Sequence, residues 1–122
     1  MRESALARLS EIEQVAVKTY VQDIRKQYPD QILAVALFGS KARGDDDPES
    51  DIDLLVITNS ESYDFRSALW RIASEISLNN NVLISAHIFS QERWERLRKI
   101  GLPFSRAILA DRIPLALEET SV

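Results

Sequence analysis

The chain has 122 residues, which fits one domain with one core, and 45% of them are apolar, too many for a disordered chain. Its net charge of −4 argues against general polyanion binding, so no direct nucleic-acid contact is expected, and no apolar run approaches the ~18–20 residues of a membrane span. With no cysteine and one histidine, disulfides, thiolate metal sites and a zinc cluster are excluded, and cytoplasm is the natural compartment.

Residues 4–28 read as one long helix, because Leu6, Leu9, Ile12, Ala16, Tyr20 and Ile24 recur at three- and four-residue steps. Ser4 is its expected N-cap and Pro29 marks its end. Ile32–Phe38 is a continuous apolar run of strand length, closed by Gly39 and Ser40. Residues 41–44 fit a short helical turn, and residues 45–50, with Pro48, a loop. Ile52–Thr58 is a second strand, broken by Asn59 and Ser60, either of which could cap the next helix. That helix is expected over residues 61–78, with Phe65, Ala68, Leu69, Ile72 and Ile76 on one face.

A turn over residues 79–81 leads to a third strand over residues 82–89. Its even positions are apolar, while Leu83, Ser85, His87 and Phe89 form a mixed, less buried face. Ser90 is the expected N-cap of a helix over residues 91–99. Gly101 and Pro103 separate it from a helical stretch over residues 104–110, and residues 113–117 fit a short last strand. The order is α-β-β-α-β-α(α), an α/β (α+β) chain with a small mixed sheet packed with helices. Two tryptophans stand out: Trp94 should pack inward, whereas Trp70 sits at the edge of its helix's apolar stripe, either half-buried or at a partner surface.

The chemistry concentrates in residues 38–56, FGSKARGDDDPESDIDLLV. Asp51 and Asp53, at i and i+2 around the start of a strand, point to the same face. Two adjacent carboxylates suit Mg²⁺, which prefers one or two carboxylates plus substrate phosphates. The Gly39–Ser40 turn beside them could hold those phosphates through backbone N–H groups. Asp45, Asp46 and Asp47 read instead as a solvated acidic loop. The residues alone therefore describe a nucleotide-handling domain that carries a metal–triphosphate.

Gly39-Ser40, ten intervening residues, then Asp51-Ile52-Asp53 resembles the signature of the minimal nucleotidyltransferases of the DNA polymerase β-like nucleotidyltransferase superfamily. The finer pattern Gly39-Ser40-Lys41-Ala42-Arg43-Gly44, with Ser50-Asp51-Ile52-Asp53-Leu54-Leu55-Val56, strengthens it. The resemblance implies a nucleotidyltransferase fold formed by residues 1–122 as one minimal domain. It implies ATP as substrate and Mg²⁺ as cofactor. Gly39 and Ser40 would hold the β- and γ-phosphates, with Ser50 and Arg43 beside the nucleotide. Asp51 and Asp53 would be the catalytic, metal-binding pair that aligns an attacking hydroxyl with the α-phosphate. For Arg43 and Lys41 the alternative is a solvated turn.

One departure stands out. The family usually supplies a third carboxylate from a neighbouring strand, and residues 82–89 contain neither Asp nor Glu. Leu83 is expected where that acid would be, with Ser85 and His87 on the same face. His87 reads as a partly exposed strand residue, with a base or metal-ligand role as the alternative.

The second half, Ile84-Ser85-Ala86-His87-Ile88 and then Gly101-Leu102-Pro103-Phe104 to Ile108, is similar to short bacterial and archaeal members. These are commonly encoded beside a HEPN-domain protein (higher eukaryotes and prokaryotes nucleotide-binding). The resemblance implies an antitoxin that adds AMP to a tyrosine of a toxin ribonuclease partner. It leaves a second reading open, an antitoxin with weak or no catalysis that neutralises its partner by contact, and a third, transfer to a small molecule, for which the chain is short.

Overall fold

Three apolar strands and one short edge strand make the frame that the helices cover. The computed structural model describes residues 6, 8–45 and 50–115. Strand β1, Ile32–Phe38, and strand β2, Ile52–Thr58, match the two apolar runs and pair antiparallel, with Phe38 beside Asp53 and Val35 beside Val56. The register shifts between Ile32 and Ala34, an irregularity at which Leu33 and Ala34 turn out to solvent instead of being buried. Strand β3, Ile84–Ser90, runs parallel to β2, and the two-residue strand β4, Ile113–Pro114, lies antiparallel on β1. The sheet order is β3-β2-β1-β4. The parallel pair needs a crossover, supplied by the intervening helix. The expected mixed α/β sheet is thus present.

Helix α1 spans Glu11–Gln27, later than expected. Its N-cap is Ser10, not Ser4, because Ser10 and Glu13 form a reciprocal capping box. Ser4 lies outside the described residues. Leu6 and Leu9 are buried but precede the helix. Ile12, expected on the apolar face, is 57% exposed, and the inward face is Ala16, Val17, Tyr20, Val21 and Ile24. Helix α2 is the short turn Ser40–Arg43. Helix α3 spans Tyr63–Asn80, and its cap is Ser62, whose hydroxyl accepts from the Phe65 N–H, not Asn59 or Ser60. Asn81, in the left-handed region, ends it, so the expected turn over residues 79–81 shrinks to one residue.

Helices α4, Gln91–Ile100, and α5, Pro103–Asp111, follow β3. Ser90 caps α4 as expected. Of the last predicted strand, residues 116–117 lie outside the described residues. Among the described residues no helix is long and apolar enough to cross a membrane.

Strand alternation sorts the core into two faces. Ile52, Leu54 and Val56 of β2, with Val35, Leu37, Ile84 and Ile88, pack under α1 and α3. Tyr20 ties those helices together by donating its buried hydroxyl to the Leu69 carbonyl at 3.1 Å, and burial pushes its pKa up. Leu55 and Ile57, with Ala36, Phe38 and Phe89, pack under Trp94 of α4 and Ile108 of α5. Asp53 has the parity of Leu55, so it opens onto this second face, at the start of β2.

Candidate active site

The end of β1 and the start of β2 converge because Phe38 and Asp53 are cross-strand neighbours. Gly39, the next residue, has φ 79° and ψ −160° and caps α2. That combination belongs to a backbone region essentially restricted to glycine. Space demands glycine as well: a Cβ at position 39 would lie 2.4 Å from Asp53 Oδ2. The Gly-Ser turn and the second aspartate of the motif are therefore in direct contact. Ser40 opens α2 and donates its hydroxyl to Ser50 Oγ at 3.1 Å, which joins the turn to the residue preceding Asp51. Asp51 lies just before β2, two positions from Asp53 and partly exposed, as Asp53 is. The five motif positions Gly39, Ser40, Ser50, Asp51 and Asp53 are thus gathered at one end of the sheet.

The two basic residues of the turn diverge. Lys41, read as a solvated or phosphate-facing residue, is 6% exposed and places Nζ 2.7 Å from Glu13 Oε2. It pins α2 to α1. Burial pushes the Glu13 carboxyl up, but the Lys41 ammonium and the Ser10 N–H together hold it below its usual value. Arg43 reaches Asp111 of α5 at 2.6 Å and Asp45 at 3.1 Å, and those carboxylates raise its pKa further. Glu13 and Asp111 carried no functional signal in the sequence, because each is brought to the motif by packing across 28 and 68 residues.

His87, a partly exposed strand residue as read, also joins the site. Its Nε2 lies 3.2 Å from Asp53 Oδ1, with Ser85 Oγ at 3.4 Å. Leu83 precedes β3, is 56% exposed, and accepts the Ile52 N–H through its carbonyl at 2.8 Å, which sets it alongside the start of β2, while the register puts Ser85 beside Asp53 and His87 beside Leu55. The imidazole sits edge-on to Phe38, with ring centroids 5.0 Å apart, and 6.0 Å from Phe104 of α5. The parity of β3 already put Ser85 and His87 on one face; the register pairs Ser85 with Asp53, and it is the longer His87 side chain that makes the contact.

Among the described residues no group of three or more His, Asp or Glu is arranged to hold a metal by itself. The donor set is two hard carboxylates beside a turn too close for any side chain. That set fits a cation that takes its remaining ligands from water and phosphate oxygens, as Mg²⁺ does, and not one enclosed by protein.

The model of the nucleotidyltransferase domain family matches residues 17–114, which takes in β1 to β4 and every motif residue. The chain is 32% identical, over 81% of its length and 93% of the relative's, to a protein of Methanocaldococcus jannaschii named "Putative protein adenylyltransferase MJ0604". Its fold is similar to the crystal structure of a "putative nucleotidyltransferase" from Sulfolobus solfataricus, with TM-score 0.56 and 20% identity over 98% of this chain and 92% of that one. It is also similar to a chain of a toxin–antitoxin crystal structure with AMP-PNP, with TM-score 0.52 and 16% identity over 84% and 76% of the two chains. These two likenesses are of fold. The family match spans the sheet and the motif alike, and on that ground the chain belongs to the nucleotidyltransferase domain family.

Proposed function

We propose that residues 1–122 act as a single Mg²⁺-dependent nucleotidyltransferase domain that moves AMP from ATP to a hydroxyl of a protein partner. The approach of Gly39 to the Asp53 carboxylate carries this reading, because it brings the backbone of the Gly-Ser turn directly beside a carboxylate, so that a phosphate on the turn and a cation on Asp53 would be neighbours. The 32%-identical relative is named as a protein adenylyltransferase, and a structural neighbour is a toxin–antitoxin pair with an ATP analogue. We extend this to a cytoplasmic antitoxin whose partner is a HEPN-type toxin and whose acceptor is a tyrosine.

Asp51 and Asp53 would hold Mg²⁺, which when bound neutralises the triphosphate and the pyrophosphate leaving group. Gly39 and Ser40 would receive the β- and γ-phosphates, the turn lending N–H groups, and the Ser40 hydroxyl would donate to a phosphate oxygen by turning from Ser50 Oγ, to which it donates here. Arg43, anchored by Asp111, would add positive charge at the phosphate end. The acceptor oxygen bonds to the α-phosphorus as the bond to the bridging oxygen breaks. Pyrophosphate departs with that electron pair, and the hydroxyl proton passes to water.

The test is co-expression with the neighbouring gene's product, followed by mass spectrometry. AMP on a partner tyrosine that disappears in Asp51→Asn/Asp53→Asn is the expected result. One observation favours a second reading: Ser85 and His87, not a carboxylate, adjoin Asp53. Toxin neutralisation that survives the double substitution with no AMP on the partner would establish a binding antitoxin in place of an enzyme.

A further inference from the structure

We propose that His87 is the positioning residue of the cation site, holding one oxygen of Asp53 so that the other is presented beside the Gly39 turn. This rests on the reading of Asp51 and Asp53 as cation ligands and adds a residue that reading does not use. An ionised carboxylate only accepts hydrogen bonds, so the 3.2 Å contact to Asp53 Oδ1 requires the proton on His87 Nε2. Ser85 Oγ, at 3.4 Å from the same nitrogen, is a weaker second acceptor.

The two oxygens of Asp53 thus have different surroundings. Oδ1 is engaged by the imidazole, whereas Oδ2 lies over Gly39, where a Cβ would come within 2.4 Å of it. A carboxylate torsion is broad and nearly two-fold, so without a partner the group would rotate. The imidazole is itself held, by β3 pairing next to Leu55 and by the rings of Phe38 and Phe104 at 5.0 and 6.0 Å. His87 therefore contributes orientation without adding negative charge. Groups that orient a metal-binding carboxylate from behind are typically worth about ten- to a hundredfold in metal affinity.

The test measures the gain in AMP-PNP affinity that Mn²⁺ confers on the full chain, by calorimetry with and without EDTA at pH 8. The set is wild type, His87→Ala, His87→Gln and Asp53→Asn, with the thermal midpoint recorded for each. We expect the Mn²⁺-dependent gain to fall about ten- to a hundredfold in His87→Ala, to return largely in His87→Gln, whose amide can donate, and to vanish in Asp53→Asn. Midpoints of His87→Ala and His87→Gln should lie together, so that a merely structural loss cannot produce the difference in affinity. A gain that Asp53→Asn abolishes but His87→Ala keeps would overturn the positioning role alone. Equal loss in both His87 variants would also overturn it, pointing to direct ligation. Wild type with no Mn²⁺-dependent gain would overturn the cation reading itself.

Discussion

Gly39 and Asp53 are in van der Waals contact across the β1–β2 pair, with Asp53 Oδ2 filling the place a Cβ at position 39 would take. Gly39→Ala must therefore displace the carboxylate as well as hold alanine in a glycine-only backbone region, at about 1–3 kcal/mol. The expected outcome is a lower denaturant midpoint together with loss of Mg²⁺-dependent ATP binding. A stable Gly39→Ala protein that binds MgATP as wild type does would show that the turn and the carboxylate do not share a ligand.

ATP binding should depend on Mg²⁺ and be lost in Asp51→Asn/Asp53→Asn, since the two carboxylates supply the charge that holds the cation. Both residues are partly exposed and outside the core clusters, so the fold should survive. Calorimetry on the wild type and the double variant checks this, and equal affinities would contradict it.

The Lys41–Glu13 pair predicts an acid-sensitive joint between α1 and α2. Lys41→Met leaves Glu13 partly buried without its ammonium and should cost about 1 kcal/mol near neutral pH. Glu13 has a folded pKa below its usual value, so its contribution is complete above the ordinary carboxylate range and is lost as pH falls through the lowered value. Wild type should thus lose stability on acidification below about pH 4.5, while Lys41→Met loses less. Urea midpoints for the two proteins between pH 3 and 7 should converge at the acid end.

Trp70 donates its indole N–H to the Ala86 carbonyl at 3.0 Å while 41% of the residue remains exposed. Arg66 lies 5.6 Å from its ring centroid. The bond tethers α3 to β3. Trp70→Phe should cost about 1 kcal/mol through the lost hydrogen bond. A chemical-denaturation midpoint identical to wild type would mean the contact contributes nothing.

Local chemistry made much of this protein legible from its sequence. The apolar runs of β1 and β2, the Ser90 cap and the spacing from Gly39 to Asp53 all act between residues close in the chain, and each appears in the fold as read. The capping box of Ser10 and Glu13 was equally local, and the apolar periodicity through Leu6 and Leu9 masked it. What only tertiary structure decided is which distant groups meet. Lys41 turns to Glu13, Arg43 to Asp111, and His87 to Asp53. These outcomes depend on helix packing and on the β2–β3 register. A strand's alternation names the face a residue occupies, but not its neighbour on a strand joined through an eighteen-residue helix, because that register is set by how the helix packs on the sheet.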